Sequence, residues 1–217
     1  MYLKRAKSPR TWPIKRKGTK YVAVPSHNIS RGLPLLIILR DYLKLGSTRR
    51  EIKKALALGA VYVNGKQIKE DKYGLTLNDV ITLRSGNNYE ESYRLTYSDN
   101  RKFSLDKISR EESNEKTSKV VGKKILKGRK IQISLLDGRT MISKPDIKIG
   151  SSVLIDLKSK KVKKVIPLQK NSEIIVISGK HIGKKGKVEE VLDEGVVRVA
   201  FGSKKIGLKL ESIMALK

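Results

Sequence analysis

The tightest local constraint in the chain lies between Gly46 and Gly65. Thr48-Arg49-Arg50-Glu51 places a glutamate three residues after a threonine, so hydroxyl and carboxylate can each satisfy a backbone amide that a helix start leaves exposed. Ile52, Ala55 and Leu56 fall on one face of the helix this predicts, and Gly59 supplies its stop. Val61 to Ile68 then alternates around Asn64-Gly65, a dipeptide that tolerates the positive φ angles of a two-residue hairpin turn. A helix followed at once by a hairpin leaves few arrangements open. Ahead of it, Leu35, Leu36, Leu39, Tyr42 and Leu43 recur at helical spacing and predict a first helix ended by Gly46. Behind it, Asn78 to Leu83 predicts a closing strand.

The other signals are short strands and turns. Ile131 to Leu135, the Asp137-Gly138 turn, Met141-Ile142 and Val153 to Leu157 predict a central β domain. Asp106 to Lys119 is charged and lacks strong apolar periodicity, which predicts a loop or a short surface helix. Ile174 to Ile177, Ser178-Gly179, Gly183, Gly186-Lys187-Val188, Val196 to Val199 and Lys209-Leu210 predict a small barrel. The expected class is α+β with four parts: a basic arm and linker over 1–34, a helix–hairpin module over 35–84, a β-rich domain over 85–170 and the barrel over 171–217.

Charge limits the partners. There are 49 Lys and Arg against 21 Asp and Glu, a formal charge of +28, which suits a polyanion whose condensed counterions are released on binding. Residues 1–20 hold eight Lys or Arg and no acid, so Arg10, Lys15, Arg16 and Lys17 are candidate phosphate contacts. Trp12, the one tryptophan, sits between Pro9 and Pro13 and either packs on a neighbouring domain or stacks on a base. The longest purely apolar run, Leu35 to Leu39, is too short to cross a bilayer, and the start of the chain lacks the apolar region of a signal peptide. No membrane partner and a cytoplasmic location are therefore expected. Cysteine is absent, so there is no disulfide framework and no thiolate metal site.

On the second predicted helix, Arg49 and Lys53, like Arg50 and Lys54, stand four residues apart. Such neighbours repel by a few tenths of a kcal/mol in an isolated helix, and the sign reverses opposite a phosphate backbone. Lys158 to Lys164 is a further basic cluster, read either as a solvated strand end or as a phosphate contact. Gly46-Ser47-Thr48-Arg49 through Val63-Asn64-Gly65, then Asn78 to Ile81, resembles the αL RNA-binding module named after ribosomal protein S-four. The resemblance implies RNA contacts at Arg49, Arg50, Lys53, Lys54 and Lys66. Many members of that family begin with Arg-Leu-Asp where this chain has Leu35-Leu36-Ile37, so no basic contact carries over to the first helix.

Ser178 to Val188 resembles a KOW element of an SH3-like barrel, with Lys180, His181, Lys184 and Lys185 as its candidate RNA contacts. Both motifs in this order, behind the basic Trp12-bearing arm and separated by a β domain, with Pro34 to Lys44 as the most typical segment, are similar to the S-four-e family of small-subunit ribosomal proteins of archaea and eukaryotes, and the compact chain favours an archaeal member. That resemblance implies docking on small-subunit ribosomal RNA beside neighbouring ribosomal proteins, with no cofactor, no metal, no small-molecule substrate and no reaction. A free RNA-modifying enzyme that uses the αL module for delivery and a transcription-associated factor are the alternatives. For the first, Asp137 is the acid to weigh, although a hairpin turn explains Asp137-Gly138 better. His27 and His181 have no ligand cluster near them in the sequence, and no Walker-type phosphate loop is present.

Overall fold

The structure, a computed structural model, describes residues 2–85, 89–143, 147–192, 195–202 and 204–216. It forms two compact units, Met1–Asn114 and Glu115–Lys217.

In the first unit β1 (Leu3–Lys4) pairs antiparallel with β2 (Tyr21–Val22). Arg5 closes the loop between them, its guanidinium donating to the Thr19 carbonyl at 2.8 Å, the Lys15 carbonyl at 2.7 Å and the Thr19 hydroxyl at 2.9 Å. Trp12 is 1% exposed, and its Nε1 donates to the Gly32 carbonyl at 3.0 Å. The indole therefore packs in the protein core and offers no open face to a base, which corrects the stacking alternative.

After β3 (Leu33–Pro34), α1 (Leu35–Ile37) continues as a wide π-turn over Ile38–Tyr42, with Leu43 N donating to the Ile38 carbonyl at 2.9 Å. All five residues from Leu35 to Leu39 are buried, because this helix is sunk in the core and shows no polar stripe there. It ends before Gly46, since Lys44 already turns the chain at φ 53°.

Then come α2 (Arg49–Ala57), β4 (Val61–Val63), β5 (Lys66–Gln67), β6 (Gly74–Leu75), β7 (Val80–Ser85), β8 (Tyr89–Tyr97) and β9 (Phe103–Ile108). β6 pairs with β3, and the antiparallel order β5-β4-β7-β8-β9 makes the main sheet. The boundary expected between 84 and 85 falls inside β7, and the sheet runs on to Ile108. Ile52, Leu56, Val61, Val63, Ile81, Leu95 and Phe103 share one core with α1 and Trp12.

The second unit opens with β10 (Glu115–Ile125), followed by β11 (Ile131–Leu135), β12 (Thr140–Ser143), β13 (Ser152–Asp156) and β14 (Val162–Ile166), in the order β12-β11-β10-β13-β14. The loop or surface helix expected over Asp106 to Lys119 is instead the end of β9, a 3-10 turn at Glu112–Asn114 and the start of β10. The strand was hidden because inward positions are polar: Lys116 is 1% exposed and donates to Asp137 Oδ2 at 2.6 Å, and Lys119 donates to the Leu210 carbonyl at 2.5 Å. Asp137 sits in the β11–β12 turn, where Gly138 has φ 85°, so its carboxylate serves the fold.

β15 (Glu173–Val176), β16 (Lys185–Val191), β17 (Val196–Phe201), β18 (Lys204–Lys209) and β19 (Ile213–Ala215) form an antiparallel sheet in the order β18-β17-β16-β15-β19. Val197 and Val199 point inward while Arg198 points out, the alternation of a sheet with one buried face. Among the described residues the end strands β18 and β19 do not pair with each other, so the small barrel expected here is an open sheet.

Removing Lys116 leaves the buried Asp137 carboxylate, among the described residues, with only the longer contact to the Arg139 guanidinium at 3.6 Å to offset its charge. Lys116→Met is expected to lower stability by about 3 kcal/mol or more, and adding Asp137→Asn to recover part of it, as urea unfolding midpoints would read.

Candidate nucleic-acid interface

The α2 cap forms as its sequence predicts. Thr48 Oγ1 accepts from Glu51 N at 3.3 Å, while the Glu51 carboxylate accepts from Ser47 N at 2.8 Å and from the Thr48 hydroxyl at 2.9 Å. The Thr48 hydroxyl first, then the backbone amides of Ser47 and Thr48, hold the Glu51 carboxyl below its ordinary range. Gly46 makes room for this carboxylate, since a Cβ there would lie 3.1 Å from Glu51 Oε2.

Ile52 and Leu56 bury the inner face of α2, leaving Arg50, Lys53 and Lys54 exposed with no acidic partner among the described residues. Arg49 differs from them. Its Nε donates to Asp71 Oδ2 at 2.5 Å, and Asp71 is buried, so this arginine ties the helix start to the segment before β6. Asp71 was missed in the sequence, where it lies 22 residues away with nothing local to mark it.

Lys66 is exposed just past the hairpin turn, in which Asn64 and Gly65 have φ 50° and 76°. Asn64 is buried: its Nδ2 donates to Asp79 Oδ1 at 2.6 Å, and its Oδ1 accepts from Val80 N at 3.0 Å. Asp79 also accepts from Thr76 N at 2.6 Å, so the pair fastens the hairpin to the start of β7. Asn64 and Asp79 thus place Lys66 without facing outward themselves.

In the arm, Arg10, Lys15, Arg16 and Lys17 are all at least partly exposed. In the second unit Lys180, Lys184 and Lys185 are exposed around a loop where Gly179 has φ 90° and Gly183 φ 86°. His181 is half-buried, its ring nearly parallel to that of Phe201 at 6.2 Å, with a buried Nδ1 that has no hydrogen-bond partner among the described residues. Gly186 answers to internal packing, because a Cβ there would lie 2.6 Å from the Ala200 carbonyl oxygen. Farther along the same sheet, by contrast, Arg198 pairs with Glu190 and Lys205 with Glu189.

The Lys158–Lys164 cluster is the β13–β14 turn, closed by Asp156 accepting from Lys158 N at 3.0 Å and from the Ser159 hydroxyl at 2.8 Å. Lys163 pairs with Glu115, whose carboxylate raises the lysine's pKa, while Lys158, Lys160, Lys161 and Lys164 stay exposed. Among the described residues no group of three or more His, Asp or Glu converges as a metal site, and no helix is long and apolar enough to cross a membrane.

Two family profiles match the chain: the S4 domain over residues 33–81 and Ribosomal family S4e over residues 89–162. Small ribosomal subunit protein eS4 of Methanocella arvoryzae is 39% identical over 193 residues, covering 88% of this chain and 80% of that protein. The protein of the same name from Nanoarchaeum equitans is 37% identical over 188 residues, covering 85% and 79%. The crystal structure of the 30S ribosomal protein S4e from Thermoplasma acidophilum aligns with a TM-score of 0.72 at 31% identity, over 86% of this chain and 95% of that one. The chain belongs to the ribosomal S4e family. The S4 domain match contains the Thr48 cap and Asp71, which set α2, and the Asn64–Asp79 pair, which sets the hairpin. The S4e match runs from the start of β8 to the first residue of β14.

Thr48→Ala is expected to cost about 1 kcal/mol at neutral pH, as loss of an N-cap does. Because the folded pKa of Glu51 is depressed, the carboxylate's share of the cap is full above its unfolded value and is lost as pH falls through the folded value. The gap between wild type and Thr48→Ala should therefore narrow in acid, read as unfolding free energy against pH.

Proposed function

We propose that this chain is a non-catalytic structural constituent of the small ribosomal subunit that binds ribosomal RNA by neutralising phosphates and matching the shape of folded RNA. The observation that carries the reading is the outer face of α2, where Arg50, Lys53 and Lys54 stand without acidic partners among the described residues, on a helix that buried contacts hold in place. An ordinary solvated helix gains nothing from Arg50 and Lys54 one turn apart, whereas a phosphate backbone stabilises both. Names of the relatives support the ribosomal setting, which implies ribosomal RNA and neighbouring ribosomal proteins as partners and a ribosome-bound place in the cytoplasm. Arg49 contributes by orientation, and Lys66 extends the cationic surface from the hairpin.

The C-terminal sheet is read as an SH3-like KOW element, with Lys180, His181, Lys184 and Lys185 as its RNA contacts. Glycines at φ 90° and 86° in the 178–183 loop and the three exposed lysines around it support this. Arg10, Lys15, Arg16 and Lys17 make the arm a third contact region.

The test is a salt titration of binding to small-subunit ribosomal RNA. Replacing Arg50, Lys53 and Lys54 together by alanine should reduce the slope of log affinity against log salt by ~2 to 3, at ~0.9 or somewhat less for each phosphate no longer neutralised. An unchanged slope and affinity would overturn the α2 assignment.

A further inference from the structure

A cavity of about 700 Å³ opens beside the arm in the first unit, within the range of about 300–1,000 Å³ usual for small-ligand pockets. Ala6, Pro9 and Ile14 give the lining its apolar part, with the buried Trp12 beside them, and Arg10, Lys15, Arg16 and Lys102 bring cationic side chains around it. All four cations are at least partly exposed, and none has an acidic partner among the described residues. The walls are anchored at three points. Arg5 pins the Lys15–Thr19 side through its three hydrogen bonds, Trp12 is held by the Gly32 carbonyl, and Phe103 N donates to the Thr11 carbonyl at 2.7 Å, which brings Lys102 alongside. Binding there need not order a loose tail, so less affinity is lost to conformational entropy.

An apolar wall beside a cluster of cations suits a ligand with a flat apolar part and a phosphate a few ångströms away. We propose that this cavity receives one unpaired nucleotide of an RNA chain, its base against the Ile14 side and its phosphate among Arg10, Lys15, Arg16 and Lys102. The proposal rests on the RNA-binding reading above and adds a site lying outside the matched S4 domain. A paired base cannot enter, so the site selects unpaired RNA, whereas the face of α2 reads backbone and shape.

Trp12 is the only tryptophan in the chain and lies among the lining residues, so its fluorescence is the readout. The full chain would be titrated at constant ionic strength with a single-stranded adenylate hexamer, adenosine 5′-monophosphate, an RNA duplex of the same length, inorganic phosphate and hexaglutamate. The hexamer should give a saturable change, with the monophosphate weaker and the other three giving no saturable change over the same range. Lys102→Ala should weaken hexamer binding by ~5-fold, the factor that corresponds to an interaction of about 1 kcal/mol, while Lys124→Ala in the second unit should not.

No saturable change with the hexamer would overturn the proposal. A monophosphate as tight as the hexamer would make this a free-nucleotide site and overturn it too. Equal responses to phosphate, duplex or hexaglutamate would mean charge alone, and an unaffected Lys102→Ala variant would remove the assigned phosphate contact. Each of these outcomes leaves the salt-slope test of α2 standing, so failure of the cavity and failure of the RNA-binding reading are separable.

Discussion

A chain with 49 Lys and Arg against 21 Asp and Glu must neutralise whatever charge it buries and keep the remaining cations apart, and the placement of its acids does the first. Asp71 sits buried under Arg49, Asp79 holds Asn64, Asp137 neutralises the fully buried Lys116, and Glu51 turns back onto the start of its own helix. In each case the carboxylate accepts hydrogen bonds from the protein, Asp71, Asp79 and Asp137 from buried positions and Glu51 at the exposed start of α2. Acids committed in this way do not screen Arg50, Lys53 and Lys54, and no acid lies in the first 20 residues to screen the arm. The excess of positive charge is set by composition, and the inward use of these acids leaves it unscreened at α2 and the arm.

This arrangement explains which parts of the molecule could be read from sequence. The Thr48–Glu51 cap is legible because both partners lie within one turn, and the Asn64-Gly65 hairpin because its positive φ angles demand those residue types. Ile52 and Leu56 are legible as a buried stripe because α2 lies on the surface with one face inward. The family resemblance rested on this same stretch, and the S4 domain match covers it.

What escaped reading depends on contacts between distant residues. β10 carries Lys116, Ser118 and Lys119 at buried positions, so the apolar alternation that marks a strand is missing until Asp137 and Leu210 supply the partners. The sunken α1 shows five successive apolar residues and no polar face, so periodicity located it without setting its end, which the turn at Lys44 decides. Trp12 invited a ligand reading because it stands among cations, yet one hydrogen bond to Gly32 and the core around it account for its burial. The arm cavity was legible only in its Arg10, Lys15 and Arg16 side, since Lys102 joins them across about ninety residues of chain with nothing local to mark it.

Arg49 and Arg50 show why the surface of α2 is more than solvation. Both enter the first turn of a helix, where the dipole disfavours cations, and Asp71 offsets that cost for Arg49 through direct contact. Arg49 is thereby part of the fold. Arg50 has no such acidic partner among the described residues, and it stands one turn from Lys54, a like-charge pair that costs a few tenths of a kcal/mol in isolation. Stability alone favours replacing either Arg50 or Lys54 with a neutral helix former. A cationic row that folding does not need, on a helix whose cap, buried face and Arg49 tether all fix its orientation, has its electrostatic rationale in an anionic surface brought against it, which in the proposed function is a phosphate backbone.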